Sequence, residues 1–215
     1  MTKVDLNPTS ARATAERSGP ASDPRAGTVL LGLARGAIAS RGSRPPRSPD
    51  DPDWLDDPGA AFVTLTERGR LRGCIGSIEP HRTLREDVLR NACAAAFHDP
   101  RFPPVAAQEV PRVRIEVSVL SPMSPVECCS RTELLARLHP GVDGVVLSWH
   151  GHRGVFLPQV WEQLPDPEDF VEHLLHKAGL PVSFWDLELC VARFTVSSWQ
   201  EQEPAVPAPT LAGRG

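Results

Sequence analysis

The chain has 215 residues, 40% of them hydrophobic, a net charge of −4 and five cysteines, so it can bury a real core but lacks the basic footprint of a nucleic-acid binder. No window approaches the roughly 18–20 apolar residues that a membrane-spanning helix needs, and the start MTKVDLNPTS has no apolar leader region. The cysteines (Cys74, Cys93, Cys128, Cys129 and Cys190) include no CxxC pair, which fits reduced thiols and a cytoplasmic protein.

Residues 1–27 and 201–215 are rich in Pro, Ala and small polar residues without periodicity and are expected to be disordered tails. The domain should then occupy 28–200. From Thr28, Leu30, Leu33, Ala34, Ala37 and Ile38 recur at helical spacing. A Pro-rich loop follows at 41–59, where a basic cluster meets an acidic one around Trp54 and Leu55. Its composition predicts a solvated loop rather than a docking segment.

FVTLTERGRLRGCIGSI alternates on both sides of Arg68-Gly69, predicting a β-hairpin. Thr83 and Glu86 make a capping box for a helix reaching about Phe97, and RVRIEVSVL at 112–120 alternates as a strand. Ser130 and Glu133 cap a short helix, and VVLSWHGHRGVFL is a second hairpin turning at Gly151 to Arg153. Asp166-Pro167 opens a helix that Gly179 and Pro181 stop, and one last strand spans roughly 187–196. Hairpins with helices between them predict an α+β fold with a mainly antiparallel or mixed sheet and packed helices, not a doubly wound parallel sheet.

The stretch GRLRGCIGSIEP carries the most chemistry. Regular alternation puts Arg72 and Cys74 on one strand face, where a guanidinium favours thiolate, the form in which cysteine acts as nucleophile or ligand. Gly73 and Gly76 would leave room for a substrate beside the sulfur. The competing reading is a small buried hydrophobe with the glycines in a bulge.

LRGCIG, DPRFPPV at 99–105, SVLSP at 118–122, GVFLPQVW at 154–161 and KAGLP at 177–181 together resemble the AMMECR domain family, which includes protein A of the AmmeMemoRadiSam system. The resemblance covers about 28–200. It implies an α+β fold of a larger and a smaller lobe around a cleft, and company with a Memo-like protein and a radical SAM protein. The residues that carry over are Arg72, Gly73, Cys74, Ile75, Gly76, Asp99, Arg101, Phe102, Ser118 and Lys177. Many members have a cysteine where this chain has Leu175, so a two-thiol chemistry is not expected.

Among further candidates, Asp99 and Arg101 could hold a polar ligand or pair with each other to fix their loop. Glu116 could act as a base beside the Ser118 hydroxyl. Lys177, one of two lysines in the chain, could be a catalytic amine or a cation favoured at a helix C-terminus. His150 with His152 and His173 with His176 lack an evident third ligand, and no Walker loop, GxGxxG or GxSxG is present, so no metal and no cofactor are expected. The expected function is action on a small molecule or partner-delivered intermediate through a cleft containing Cys74, with Arg72 and Lys177 in catalytic roles and Gly73, Gly76, Asp99, Arg101, Glu116 and Ser118 binding substrate. The alternative is a non-catalytic module that docks the Memo-like or radical SAM partner.

Overall fold

The computed structural model describes residues 19–43 and 47–202; the rest of the expected tails, and three residues of the Pro-rich loop, lie outside the described residues. Among the described residues, four α-helices and two four-stranded antiparallel sheets form an α+β fold. In chain order these are α1 (Ala26–Ala39), β1 (Ala61–Glu67), β2 (Arg70–Gly76), α2 (Leu84–Phe97), β3 (Arg114–Leu120), β4 (Ser124–Pro125), α3 (Arg131–Arg137), β5 (Gly144–Trp149), β6 (His152–Phe156), α4 (Pro167–Lys177), β7 (Cys190–Phe194) and β8 (Val196–Gln200).

The first sheet has the order β2-β1-β3-β8. One face buries Ala61, Val63, Leu65, Ile115, Val117 and Val119 against α1 and α2, which contribute Leu30, Ala34, Ile38, Val88, Ala92 and Ala95. Each large aliphatic side chain buried there contributes about 1.5–3 kcal/mol. Asp87 of α2, 1% exposed, accepts from the Ala61 N–H at 2.8 Å, Ser77 Oγ at 2.8 Å and Asn91 Nδ2 at 2.9 Å, and pairs with Arg82 at 2.8 Å. A carboxylate can be buried there because it is fully satisfied, and the network ties the helix to the start of β1 and the end of β2.

The second sheet, β4-β7-β5-β6, packs against α3 and α4, with Phe170 stacked on Trp161 at 3.7 Å. A smaller apolar seam joins the two sheets through Ala60, Leu120, Val146 and Phe194, flanked by Phe62, Ile78, Val155 and Leu157.

Four expectations change. The last strand is two strands, β7 and β8, which lie in different sheets on either side of Thr195. The second hairpin turns at His150-Gly151, both with positive φ (41° and 87°), a geometry matched to the twist of paired strands. Trp54 and Leu55 are not solvated: a 3₁₀ turn buries them in the first core, with Trp54 Nε1 donating to Asp23 at 3.1 Å. Residues 19–27, expected to be tail, supply that aspartate and lead into α1.

Candidate functional site

The thiol lies on β2, an edge strand. The hairpin turns at Arg68-Gly69 as expected, but its register steps by one residue: Thr66 pairs with Leu71, whereas Leu65 pairs with Gly73. Arg72 is the extra residue of a β-bulge, so the alternation that would align it with Cys74 is broken. Its guanidinium pairs instead with Glu109, at 3.0 and 3.2 Å, and donates to the Pro103 carbonyl at 2.8 Å. Arg72 and the Ala106 N–H hold the Glu109 carboxyl below its ordinary range.

The glycines serve packing rather than access. A Cβ on Gly73 would sit 2.1 Å from the Ala95 carbonyl oxygen of α2, and one on Gly76 would sit 2.2 Å from the Phe62 ring. The space expected beside the sulfur is filled by helix backbone on one face and an aromatic ring on the other.

Asp99 and Arg101, just beyond α2, do what the expected ion pair would do and more. Asp99 is 3% exposed and takes the Cys74 N–H at 2.9 Å, while Arg101 Nη2 binds Asp99 at 2.7 Å and donates to the Cys74 carbonyl at 2.9 Å. The two peptide groups that an edge strand leaves unpaired at Cys74 are thereby satisfied. Hydrogen bonds from Arg101 and from the Cys74 N–H drive the Asp99 carboxyl far below its usual range despite burial. The Arg101 guanidinium is pushed up, first by Asp99 and further by the Cys74 sulfur beside it. Arg101, not Arg72, is therefore the cation held at Cys74, through the carbonyl of that residue. It also lies over the Phe102 ring, 5.6 Å from its centroid.

Cys74 is half-buried, and its sulfur lies on the sheet face away from the helices, where the Thr64 hydroxyl donates to it at 3.4 Å. Pairing sets out a transverse row, Cys74–Thr64–Glu116–Gln200, beside a second row, Gly76–Phe62–Ser118–Ser198. The expected contact between Glu116 and Ser118 is made: Ser118 Oγ donates to Glu116 at 3.2 Å and lies 2.8 Å from Ser198 Oγ. The arrangement offers a polar ligand a thiol, the Thr64 and Ser198 hydroxyls, a carboxylate and a guanidinium, with the buried Ser118 hydroxyl linking Glu116 to Ser198.

The AMMECR1 family model matches residues 31–199. The chain belongs to the AMMECR1 family. A protein of Methanothermobacter thermautotrophicus is 41% identical over 180 residues, which cover 81% of this chain and 94% of that one. A protein of Thermofilum pendens is 37% identical over 195 residues, covering 83% and 91%. The crystal structure of an uncharacterized protein from Pyrococcus horikoshii matches with a TM-score of 0.70 at 34% identity, covering 82% of this chain and 91% of that one.

Within this AMMECR1 chain, Lys177 is not placed with the thiol. Its ammonium donates to the Val155 carbonyl at 2.9 Å and sits 5.0 Å from the Phe156 ring centroid, tying α4 to β6 in the second unit. His150 pairs with Glu188 at 2.7 Å, His152 meets the Ala178 carbonyl at 3.0 Å, and no metal-binding group of three side chains occurs among the described residues. No helix among them is long and apolar enough to cross a membrane. Thr64, Glu109 and Ser198 were not foreseen. Thr64 was beyond reach because strict counting from the Arg68-Gly69 turn puts it opposite Gly73; only the bulge brings it opposite Cys74.

Proposed function

We propose that this AMMECR1-family protein acts on a small molecule or a partner-delivered intermediate through Cys74, as a component of a Memo-like and radical SAM-associated system. One observation carries the reading: the Cys74 backbone is held at both its N–H and its C=O by Asp99 and Arg101, in a residue that is only half-buried and whose sulfur accepts from the Thr64 hydroxyl. A nucleophile needs this combination of fixed position and stabilising donors. The roles first given to Arg72 pass to Arg101, and Lys177 has none in the site. The association with a Memo-like and a radical SAM protein is supported by the family resemblance.

Alkylation with iodoacetamide, mapped by mass spectrometry on the full chain, tests the chemistry. Burial pushes the Cys93 and Cys128 thiols up, and Cys129 and Cys190 are exposed, so the chain holds its own slow and accessible references. Cys74 should label faster than all four, and Arg101→Gln should slow it several-fold. Labelling no faster than Cys129 and Cys190 rejects the nucleophile. If, in addition, Cys74→Ser still binds purified Memo-like or radical SAM protein and supports cellular function, the chain is a docking module.

A further inference from the structure

We propose that the Cys74 face takes a small dipolar substrate, with its anionic group at Arg101 and its cationic group at Glu116. This rests on the reading of Cys74 as the functional centre and adds the class of molecule it serves.

Both ends of the Cys74 row carry a charged side chain with hydrogen-bonding capacity that the fold leaves unused. At one end, Arg101 spends Nε and Nη2 on Asp99 and on the Cys74 carbonyl, and Nη1 makes no hydrogen bond within the described protein. At the other end, Glu116 receives a single hydrogen bond, from Ser118 Oγ onto Oε1, and pairs with no cation among the described residues. Cys74 and Thr64 lie between them in direct register. Two interstrand steps put the Cys74 and Glu116 backbones about 10 Å apart, and the opposite charges of a ligand have to bridge that row.

The hydroxyls extend the cationic end. The chain Glu116–Ser118–Ser198 finishes at an exposed serine that lines a depression of ≈ 460 Å³, whose other polar lining comes from Gln159 and Glu162 of the second unit. Glu116 and Glu162 are the carboxylates near that end, while Arg114, two residues before Glu116 on the same strand face, is directed to the Glu201 carbonyl.

Neither charge alone explains recognition. Asp99 already neutralises Arg101, so a simple monoanion gains only directional hydrogen bonds there, and a simple cation meets one partly exposed carboxylate, an interaction worth little in water. A molecule that engages both makes the second contact intramolecularly and gains by it.

Titration calorimetry on the full chain tests this with a ladder of ω-amino acids, from 4-aminobutanoate to 8-aminooctanoate, against hexanoate and hexylammonium as single-charge controls. One ladder member should bind at least about tenfold more tightly than either control, a difference of about 1.4 kcal/mol. Arg101 also fixes the Cys74 backbone, so Glu116→Gln, whose carboxylate touches only Ser118, carries the decisive comparison: it should bring the preferred ladder member down to the level of the controls, and Lys177→Ala should not. Equal binding of ladder and controls, or unchanged binding in Glu116→Gln, overturns the proposal. Fast alkylation of Cys74 without dipolar preference leaves the thiol reading standing and removes this one. Dipolar binding with a slow Cys74 does the reverse, and shows a binding face without a nucleophile.

Discussion

The two hairpins are built alike and used differently. Each turns on a residue-glycine pair with positive φ, Arg68-Gly69 and His150-Gly151. Each has a glycine in its second strand onto which a helix carbonyl descends: Ala95 of α2 over Gly73, and Leu174 of α4 over Gly154, where a Cβ would meet the oxygens at 2.1 and 2.7 Å. In each, a charged side chain at or just past the end of that helix grips the residue after the glycine, Asp99 and Arg101 on Cys74, Lys177 on Val155. In the second hairpin the gripped residue is a valine in an apolar seam. In the first it is a cysteine, and a bulge and a polar sheet face surround it. The glycine and the grip are therefore scaffold, and the chemistry depends on what the scaffold holds.

Substitutions can take that parallel apart. The largest loss is expected for Gly73→Ala, since backbone would have to move away from the new methyl group; overpacking of this kind costs about 3 kcal/mol or more, read as a lower urea midpoint. Gly154→Ala meets its helix at a longer distance and should cost roughly 1–2 kcal/mol, with Cys74 alkylation unchanged. Asp99→Asn should cost stability at neutral pH and flatten the acid limb. Its carboxyl is depressed in the folded protein by Arg101 and the Cys74 N–H, so its contribution is present above the unfolded value of about 3.9 and is lost as pH falls below that value. The variant should therefore melt lower at neutral pH and lose less on acidification. Lys177→Ala removes one hydrogen bond from an exposed side chain and should cost about 1 kcal/mol, leaving Cys74 labelling untouched; a large fall in labelling would return Lys177 to the site.

Local chemistry made much of this legible. Thr83, Ser130 and Asp166 cap their helices as their spacing predicts, each accepting the expected backbone N–H, and alternation located β1, β2 and β3. What escaped has no local signature. Arg72 sits in a run whose pattern reads as regular, and only its long-range partner Glu109 and the crowding of α2 on Gly73 select the bulge. Arg101 was identified as a paired residue, but its position at the sulfur depends on how the loop after α2 folds back along the strand edge. Val191 to Trp199 reads as one β-rich stretch, and nothing within it marks Thr195 as the point where the chain changes sheets.

That crossing has a consequence for how the protein can be cut. The Thr195 N–H donates to Ser121 Oγ at 2.9 Å and its carbonyl accepts from the Ser121 N–H at 2.9 Å, just beyond the pairing of Leu120 with Val196. Everything in the second sheet and its helices is strung between those two residues, so that whole unit is an insertion with adjoining ends. Excising it and joining β3 to β8 through a two-residue turn would yield a minimal protein that keeps the Cys74 row, and would show which properties of that row belong to the first sheet alone.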